Sequence, residues 1–75
     1  MKIGIYPGTF DPITHGHTDI ITRSLRVFDK VVVAVAPNQS KHPLFTLTER
    51  LDMIRIVMEK MKQVEVTHFD GLLVD

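Results

Sequence analysis

The sequence contains no cysteine, so it offers neither a disulfide framework nor a thiolate metal site. That composition is typical of a reducing compartment, and we expect a cytoplasmic protein. It also lacks any apolar run near the roughly 20 residues of a membrane span. The apolar start is too short for a signal peptide and soon meets Pro7. We therefore expect a soluble protein that does not contact a membrane.

The sequence has no excess of either charge, since nine basic residues balance nine acidic ones. A surface that binds nucleic acid needs clustered positive charge, so no nucleic-acid partner is expected and any affinity for phosphate must be local. The 75 residues form at most one small domain, 1–75. A domain of this size buries only about 60% of the surface of its unfolded chain, so we expect marginal stability and help from a partner.

Three segments have the patterns of β-strands. Ile3 to Tyr6 is a short apolar run, and Lys30 to Ala36 is a β-branched run typical of parallel strands covered on both faces. Both are expected to be interior strands of a complete sheet. In a chain that is cut short, the first would be left as an apolar edge that could pair with a second copy. Val64 to Phe69 alternates apolar with polar residues, which indicates a strand nearer an edge.

Two helices are predicted between these strands. From about Gly16 to Val27, the spacing of Ile21, Leu25 and Phe28 predicts an amphipathic helix. The segment from Thr46 to Glu49 has the capping-box pattern, in which the Thr oxygen and the Glu carboxylate satisfy free backbone donors. An apolar stripe then predicts a second helix from about Leu47 to Lys62, with the members Leu47, Leu51, Ile54, Met58 and Met61.

This order of elements predicts an α/β fold: a Rossmann-like parallel sheet, one βαβαβ mononucleotide-binding half with right-handed crossovers. The first strand should adjoin the second, with the third outermost. Ligands of such sheets lie outside the carboxyl ends of the strands, where Thr9, His17 and the loop from Pro37 to Pro43 would meet. Gly71 to Asp75 has the pattern of a third helix beginning, so we expect a longer domain to be cut there.

The loop between the first strand and the first helix has the residue types that hold phosphate. Gly8 and Gly16 remove side-chain bulk where the backbone would approach a ligand, Thr9 offers a hydroxyl, and His17 lies in the first helical turn. These four positions can converge on one anion. They favour a nucleotide-handling protein.

The segments Gly8 to Pro12 and Thr14 to His17 together resemble the signature of the nucleotidylyltransferases, which is His or Thr, any residue, Gly, His. With Ser40 to Thr46, Glu49-Arg50 and Phe69 to Val74, the whole chain resembles the N-terminal half of bacterial phosphopantetheine adenylyltransferases. The resemblance implies that the phosphate of 4'-phosphopantetheine attacks the α-phosphorus of ATP, giving dephospho-coenzyme A and pyrophosphate. It also implies Mg²⁺ arriving with ATP and a homo-oligomer, a hexamer in the family.

The same resemblance implies roles for five residues. His17 would bind ATP and stabilise the transition state; Thr9 would contact substrate phosphate and, with the Phe10 backbone, the nucleotide. Lys41 would hold the attacking phosphate, and Leu73 would lie along the pantetheine arm. The sequence has no clustered carboxylates, so no metal ion held by the protein is expected.

Other interpretations remain open. The short pattern from Thr14 to His17 also resembles class I aminoacyl-tRNA synthetases, although the preceding Gly8 to Pro12 favours the nucleotidylyltransferases. Within these, a different phosphate substrate such as glycerol phosphate or nicotinamide mononucleotide is an alternative. A non-catalytic half domain that binds phosphopantetheine or associates with itself is another.

Several residues outside the proposed site are expected to have structural or surface roles. The acidic pair Asp11 and Asp70 is expected to be structural. The histidines other than His17 are expected on loops or the surface; they are His15, His42 and His68. Additional apolar residues widen the face of the second helix and indicate a subunit contact; they are Met53, Ile56 and Val57.

Overall fold

The computed structural model describes residues 1–37 and 44–69. Strands and helices alternate as the sequence patterns predict. The elements are β1 (Ile3–Gly8), α1 (His15–Ser24), β2 (Lys30–Val35), α2 (Leu47–Met58) and β3 (Val64–His68). The predicted third helix at Gly71 to Asp75 lies outside the described residues.

The three strands form one parallel sheet in the order β1-β2-β3, which confirms the predicted neighbours. β2 is the central strand, as its β-branched run predicts. β1 lies at an edge of the described sheet, as expected of the shorter chain; the interior position was expected of a complete sheet. An edge position suits Pro7, which lies within β1 and has no N–H to donate to a neighbouring strand.

Both helices end earlier than their apolar periodicity predicts. After Ser24, the backbone N–H groups of Arg26 and Val27 bond to carbonyls three residues back, so the chain tightens into a turn. The N–H of Met61 likewise bonds to the Met58 carbonyl. The periodic contacts with the core continue through these turns, and side-chain spacing therefore overestimates the helical length.

The hydrophobic core lies on one face of the sheet. Val31, Val33 and Val35 alternate along β2 and are buried against α1 and α2, together with Ile21 and Ile54. Tyr6, Val64 and Val66 pack against this core from the neighbouring strands. Because the register pairs these residues with β2, the covered face spans all three strands.

Gly4 is required by this packing. A Cβ atom added there would lie 2.8 Å from the Phe28 ring, which packs against the core from the turn after α1. The opposite sheet face carries Ile3 and Ile5, which are 51% and 70% exposed. Neither helix in the described ranges is long and apolar enough to cross a membrane.

Candidate nucleotide site at the carboxyl edge of the sheet

The segment that leaves β1 is organised around Phe10. Its side chain is buried, and its φ of 50° is unusual for a residue with a bulky side chain. The ring meets Tyr6 edge-on at a centroid distance of 5.4 Å and His17 at 4.8 Å. A side chain at Gly8 would come within 3.0 Å of this ring. The structure thus places the Phe10 ring, rather than open space for a ligand, above Gly8.

Phe10 joins the end of β1 to the start of α1. Its aromatic contact holds the half-buried imidazole of His17 beside the loop that carries Thr9. Thr9 is exposed, so its hydroxyl is accessible to solvent. The structure therefore brings the predicted residues Thr9, Phe10 and His17 together at the carboxyl edge of the sheet.

His17 also takes part in capping α1. Thr14 precedes the helix, and its backbone N–H donates a hydrogen bond of 2.9 Å to Nδ1 of His17. The Thr14 hydroxyl oxygen lies 3.0 Å from the same nitrogen. Because a backbone N–H can only donate, Nδ1 is the acceptor and a neutral imidazole carries its proton on Nε2. The cap therefore leaves Nε2–H as a hydrogen-bond donor.

The two helix N-termini differ in charge. At α2, the Glu49 carboxylate accepts the Thr46 N–H at 2.9 Å, and the Thr46 hydroxyl accepts the Glu49 N–H at 3.1 Å. The first turn of α1 has no acidic residue. Its partial positive charge, which comes from the aligned peptide dipoles, is not offset by a carboxylate of that turn. An anion near His17 would be stabilised there.

Asp11 has the structural role expected of it. Its carboxylate accepts the backbone N–H groups of Leu44 and Phe45 at 3.0 and 2.9 Å. These bonds tie the loop after β1 to the segment that enters α2.

The structure describes two of the histidines that were expected on loops or the surface, and also the apolar residues of α2. His15 and His68 are both exposed. On α2, Ile56 and Val57 are 68% and 50% exposed, so the apolar surface that indicated a subunit contact is present.

Arg50 is a site-forming residue that motif spacing alone does not single out. It is only 3% exposed, and one of its terminal nitrogens, Nη1, donates to the carbonyl oxygens of Thr9 at 2.8 Å and Ala36 at 2.9 Å. Arg50 lies three residues after Leu47 and four before Ile54, on the core-facing side of α2. A charged residue within an apolar stripe is the sequence signal that could have identified it.

Some predicted site residues lie outside the described residues. They are Lys41 and Leu73. His42, expected on a loop or the surface, and Asp70, expected to be structural, also lie outside the described residues, as do the loop positions from Asn38 to Pro43.

The described residues include no group of three or more His, Asp or Glu side chains placed to hold a metal ion. The Asp11 carboxylate is engaged by two backbone donors. The described residues thus do not fit a metal ion held by the protein.

A cavity of about 260 Å³ lies elsewhere, lined by the end of α2 and the start of β3. Because helices in a βαβ unit run opposite to the strands, this cavity lies at the amino edge of the sheet. The cavity is therefore at the opposite edge of the sheet from Phe10 and His17.

Curated relatives match nearly the whole chain. Phosphopantetheine adenylyltransferases from Desulforudis audaxviator and Geobacter sulfurreducens are 57% and 58% identical to it, each over 99% of this chain and 45% of the relative. The enzyme of that name from Helicobacter pylori strain J99 is 55% identical over 100% of this chain and 48% of its own. The chain therefore spans about half the length of these relatives.

Solved structures agree with the fold. A crystal structure of NadR protein in complex with NAD and AMP-PNP aligns with a TM-score of 0.82 at 24% identity, covering 97% of this chain and 22% of that one. A second crystal structure, of NadR protein in complex with NR, aligns with a TM-score of 0.79 at 26% identity. The alignment covers 88% of this chain and 19% of that one. The model of the cytidylyltransferase-like family matches residues 5–75. This match spans nearly the full sequence and includes the loop and helix that hold Phe10 and His17, so the chain belongs to the cytidylyltransferase-like family.

Proposed function

We propose that this chain is the N-terminal half of a phosphopantetheine adenylyltransferase, which transfers the adenylyl group of ATP to 4'-phosphopantetheine. The observation that carries the proposal is the identity of 55 to 58% with enzymes of that name over at least 99% of the chain. The NadR structures, at 24% and 26% identity, are considerably more distant. The identities therefore favour phosphopantetheine over a nicotinamide substrate.

The reaction needs no general base. The second pKa of a phosphate monoester is about 6, so the attacking phosphate is already largely dianionic at neutral pH. One of its oxygens forms a bond to the α-phosphorus of ATP, and the bond from that phosphorus to the bridging oxygen breaks. Pyrophosphate leaves with the electron pair. The protein must therefore position the two reactants and stabilise the charge that develops on the α-phosphate.

His17 is the proposed transition-state stabiliser. Its Nδ1 is occupied by the Thr14 N–H, so Nε2–H is the nitrogen that donates to an α-phosphate oxygen. The N-terminal end of α1 adds a favourable dipole for the same charge. These groups are arranged before the substrate arrives.

Substrate binding is assigned to residues that precede and follow His17 in the sequence. Thr9 and the Phe10 backbone bind the nucleotide, and Thr9 also contacts the substrate phosphate. Lys41 holds the attacking phosphate through its flexible ammonium, and Leu73 lies along the pantetheine arm. Mg²⁺ enters with ATP, with its ligands taken from the nucleotide and water.

The proposed reaction belongs in the cytoplasm, and the proposed assembly is a homo-oligomer. The exposed Ile56 and Val57 of α2 support a subunit contact on that helix.

The test is pyrophosphate release by the 75-residue chain given ATP, Mg²⁺ and 4'-phosphopantetheine, with His17→Asn as the control. Glycerol phosphate with CTP and nicotinamide mononucleotide with ATP form the comparison panel. Release that needs 4'-phosphopantetheine and is lost in the control supports the proposal. Release that occurs only with glycerol phosphate or only with nicotinamide mononucleotide contradicts the assignment of 4'-phosphopantetheine as the substrate.

Calorimetry with the same substrates separates catalysis from binding. Binding of 4'-phosphopantetheine without turnover leaves a substrate-binding half domain, the alternative that the sequence left open. Binding of none of the substrates contradicts both functions for this chain.

A further inference from the structure

Arg50 lies where a charged residue is energetically unfavourable. It is in the first turn of α2, and its side chain is only 3% exposed. Its Nε is buried and has no hydrogen-bond partner among the described residues. Transfer of a guanidinium into such a position carries a desolvation penalty, and an apolar side chain would pack there without it.

The hydrogen bonds of Arg50 connect the ends of two strands. The last paired residues of β1 and β2 are Gly8 and Val35, and the Ala36 N–H adds a final bond to the Gly8 carbonyl at 2.7 Å. Thr9 and Ala36 follow immediately. Their carbonyl oxygens both accept from Nη1 of Arg50, at 2.8 and 2.9 Å. The guanidinium thus continues the connection between the strands one residue beyond the sheet.

The Thr9 carbonyl is the part of the phosphate-binding loop that Arg50 holds. The next residue, Phe10, adopts a positive φ and carries the ring that contacts His17. An uncommon backbone conformation persists only where its surroundings impose it. The bridge from Thr9 to Ala36 is one such constraint, because it fixes the peptide that precedes Phe10.

We propose that Arg50 is a positioning residue, which holds the Thr9–Phe10 loop in its binding geometry by joining the ends of β1 and β2. It acts through the two backbone carbonyls and need not touch substrate. Its effect on ligand affinity rests on the proposed function, whereas its effect on loop order does not. The two effects can therefore be measured independently.

The test compares Arg50→Met with Arg50→Lys and with the control Arg55→Met in the 75-residue chain. Arg55 is on the same helix, but its side chain is 56% exposed and lies 3.8 Å from Asp52. Methionine fills the Arg50 position without donors, whereas the lysine ammonium retains three donors for the two carbonyls. Backbone order parameters from NMR relaxation report on residues 8–11, with Val33 of the central strand as an internal reference.

In Arg50→Met, we expect lower order parameters in residues 8–11, unchanged values at Val33 and affinity for 4'-phosphopantetheine reduced about 10- to 100-fold. That range corresponds to the loss of charge-assisted hydrogen bonds. Arg50→Lys should restore the loop order and most of the affinity, and Arg55→Met should match the parent chain. An Arg50→Met chain with parental loop order overturns the proposal.

If Arg50→Met fails to fold, the Arg50→Lys variant tests the positioning role instead. A folded Arg50→Lys chain with an ordered loop and affinity within about threefold of the parent supports positioning through the carbonyls. A folded Arg50→Lys chain with a disordered loop overturns it. If the parent chain binds no substrate, the proposed function fails while the order parameters still decide the role of Arg50.

Discussion

In the proposed reaction the two ring nitrogens of His17 have separate tasks. Nδ1 accepts the Thr14 N–H, and Nε2–H is the proposed donor to substrate. A change of His17 to alanine would remove the cap and the donor together. Asparagine and glutamine separate them, because the asparagine side chain places an oxygen near the position of Nδ1 and the glutamine side chain places an amide near that of Nε2.

We expect His17→Asn to keep the unfolding free energy near the parental value and to lower turnover about 10²- to 10³-fold, the usual effect of losing a preorganised donor. His17→Gln should lose about 0.5–2 kcal/mol of stability with the cap while retaining more activity. Urea unfolding and pyrophosphate release measure the two effects. A His17→Asn chain with parental turnover contradicts the donor role, and a His17→Gln chain with parental stability contradicts the cap.

The glycines of the sequence differ in what surrounds them. A Cβ at Gly4 would meet the Phe28 ring at 2.8 Å, so Gly4→Ala should destabilise the chain by about 1–3 kcal/mol through overpacking. A Cβ at Gly16 would meet only the Thr14 hydroxyl oxygen, at 3.6 Å. Alanine favours helix more than glycine does, so Gly16→Ala should stabilise the chain by up to about 1 kcal/mol.

Thermal unfolding measures whether Gly4→Ala lowers the stability and Gly16→Ala raises it. Titration with ATP tests whether the backbone at Gly16 approaches a nucleotide, as the motif predicts. If a nucleotide approaches the backbone there, Gly16→Ala lowers ATP affinity although it raises stability. Parental ATP affinity would show that the missing side chain at Gly16 is not needed for binding.

Sequence patterns made Thr9 and His17 candidates for binding phosphate, and that role stays a prediction. They did not predict how the loop after β1 is held. The positive φ of Phe10 and its ring contact with His17 depend on tertiary packing that no local pattern encodes. Arg50 acts on Thr9 across 41 residues of sequence, so its two carbonyl partners could not be predicted from spacing.

The helices show which signals determine where an element begins and ends. The capping box predicted the start of α2 correctly, because Thr46 and Glu49 satisfy the first backbone donors within four residues of sequence. The ends were predicted too late, since the apolar stripe continues into turns after Ser24 and Met58. Local hydrogen bonding is thus more informative about helix boundaries than periodicity is.

Thr46→Ala should lower the unfolding free energy by about 1 kcal/mol, since it removes the acceptor of the Glu49 N–H. Thr48→Ala is the matched control, because Thr48 is exposed within α2 and alanine has the higher helix propensity there. Chemical unfolding followed by circular dichroism measures both. Equal stability of the two variants would show that the capping box does not contribute to folding.

Within residues 1–37 and 44–69, one face of the sheet is covered by the helices and the other, the open face, carries the exposed Ile3 and Ile5. The patterns predicted the strand order and the parallel sheet, because crossovers in α/β folds follow a consistent geometry. They predicted β1 to be interior in a complete sheet and to be left as an apolar edge in a shorter chain. In the described sheet β1 is an edge.

The open face and the β1 edge together predict self-association of the 75-residue chain. Ile5 is 70% exposed, and its neighbour across the register on that face is Val32 of β2. An apolar surface beside unpaired strand edges favours pairing with a second copy. Ile5→Thr keeps a β-branched residue in β1 and lowers the apolar area, so it should reduce association with little change in stability.

Val33→Thr is the contrasting variant, because Val33 is fully buried on the covered face. It should destabilise the fold by about 1–3 kcal/mol, since it buries a hydroxyl in an apolar core, and it leaves the open face unchanged. Light scattering across a concentration series, with urea unfolding in parallel, separates the two effects. A parent chain that stays monomeric throughout the series would show that neither the open face nor the β1 edge drives association. In a parent chain that does associate, equal association of Ile5→Thr would show that Ile5 does not contribute to the contact.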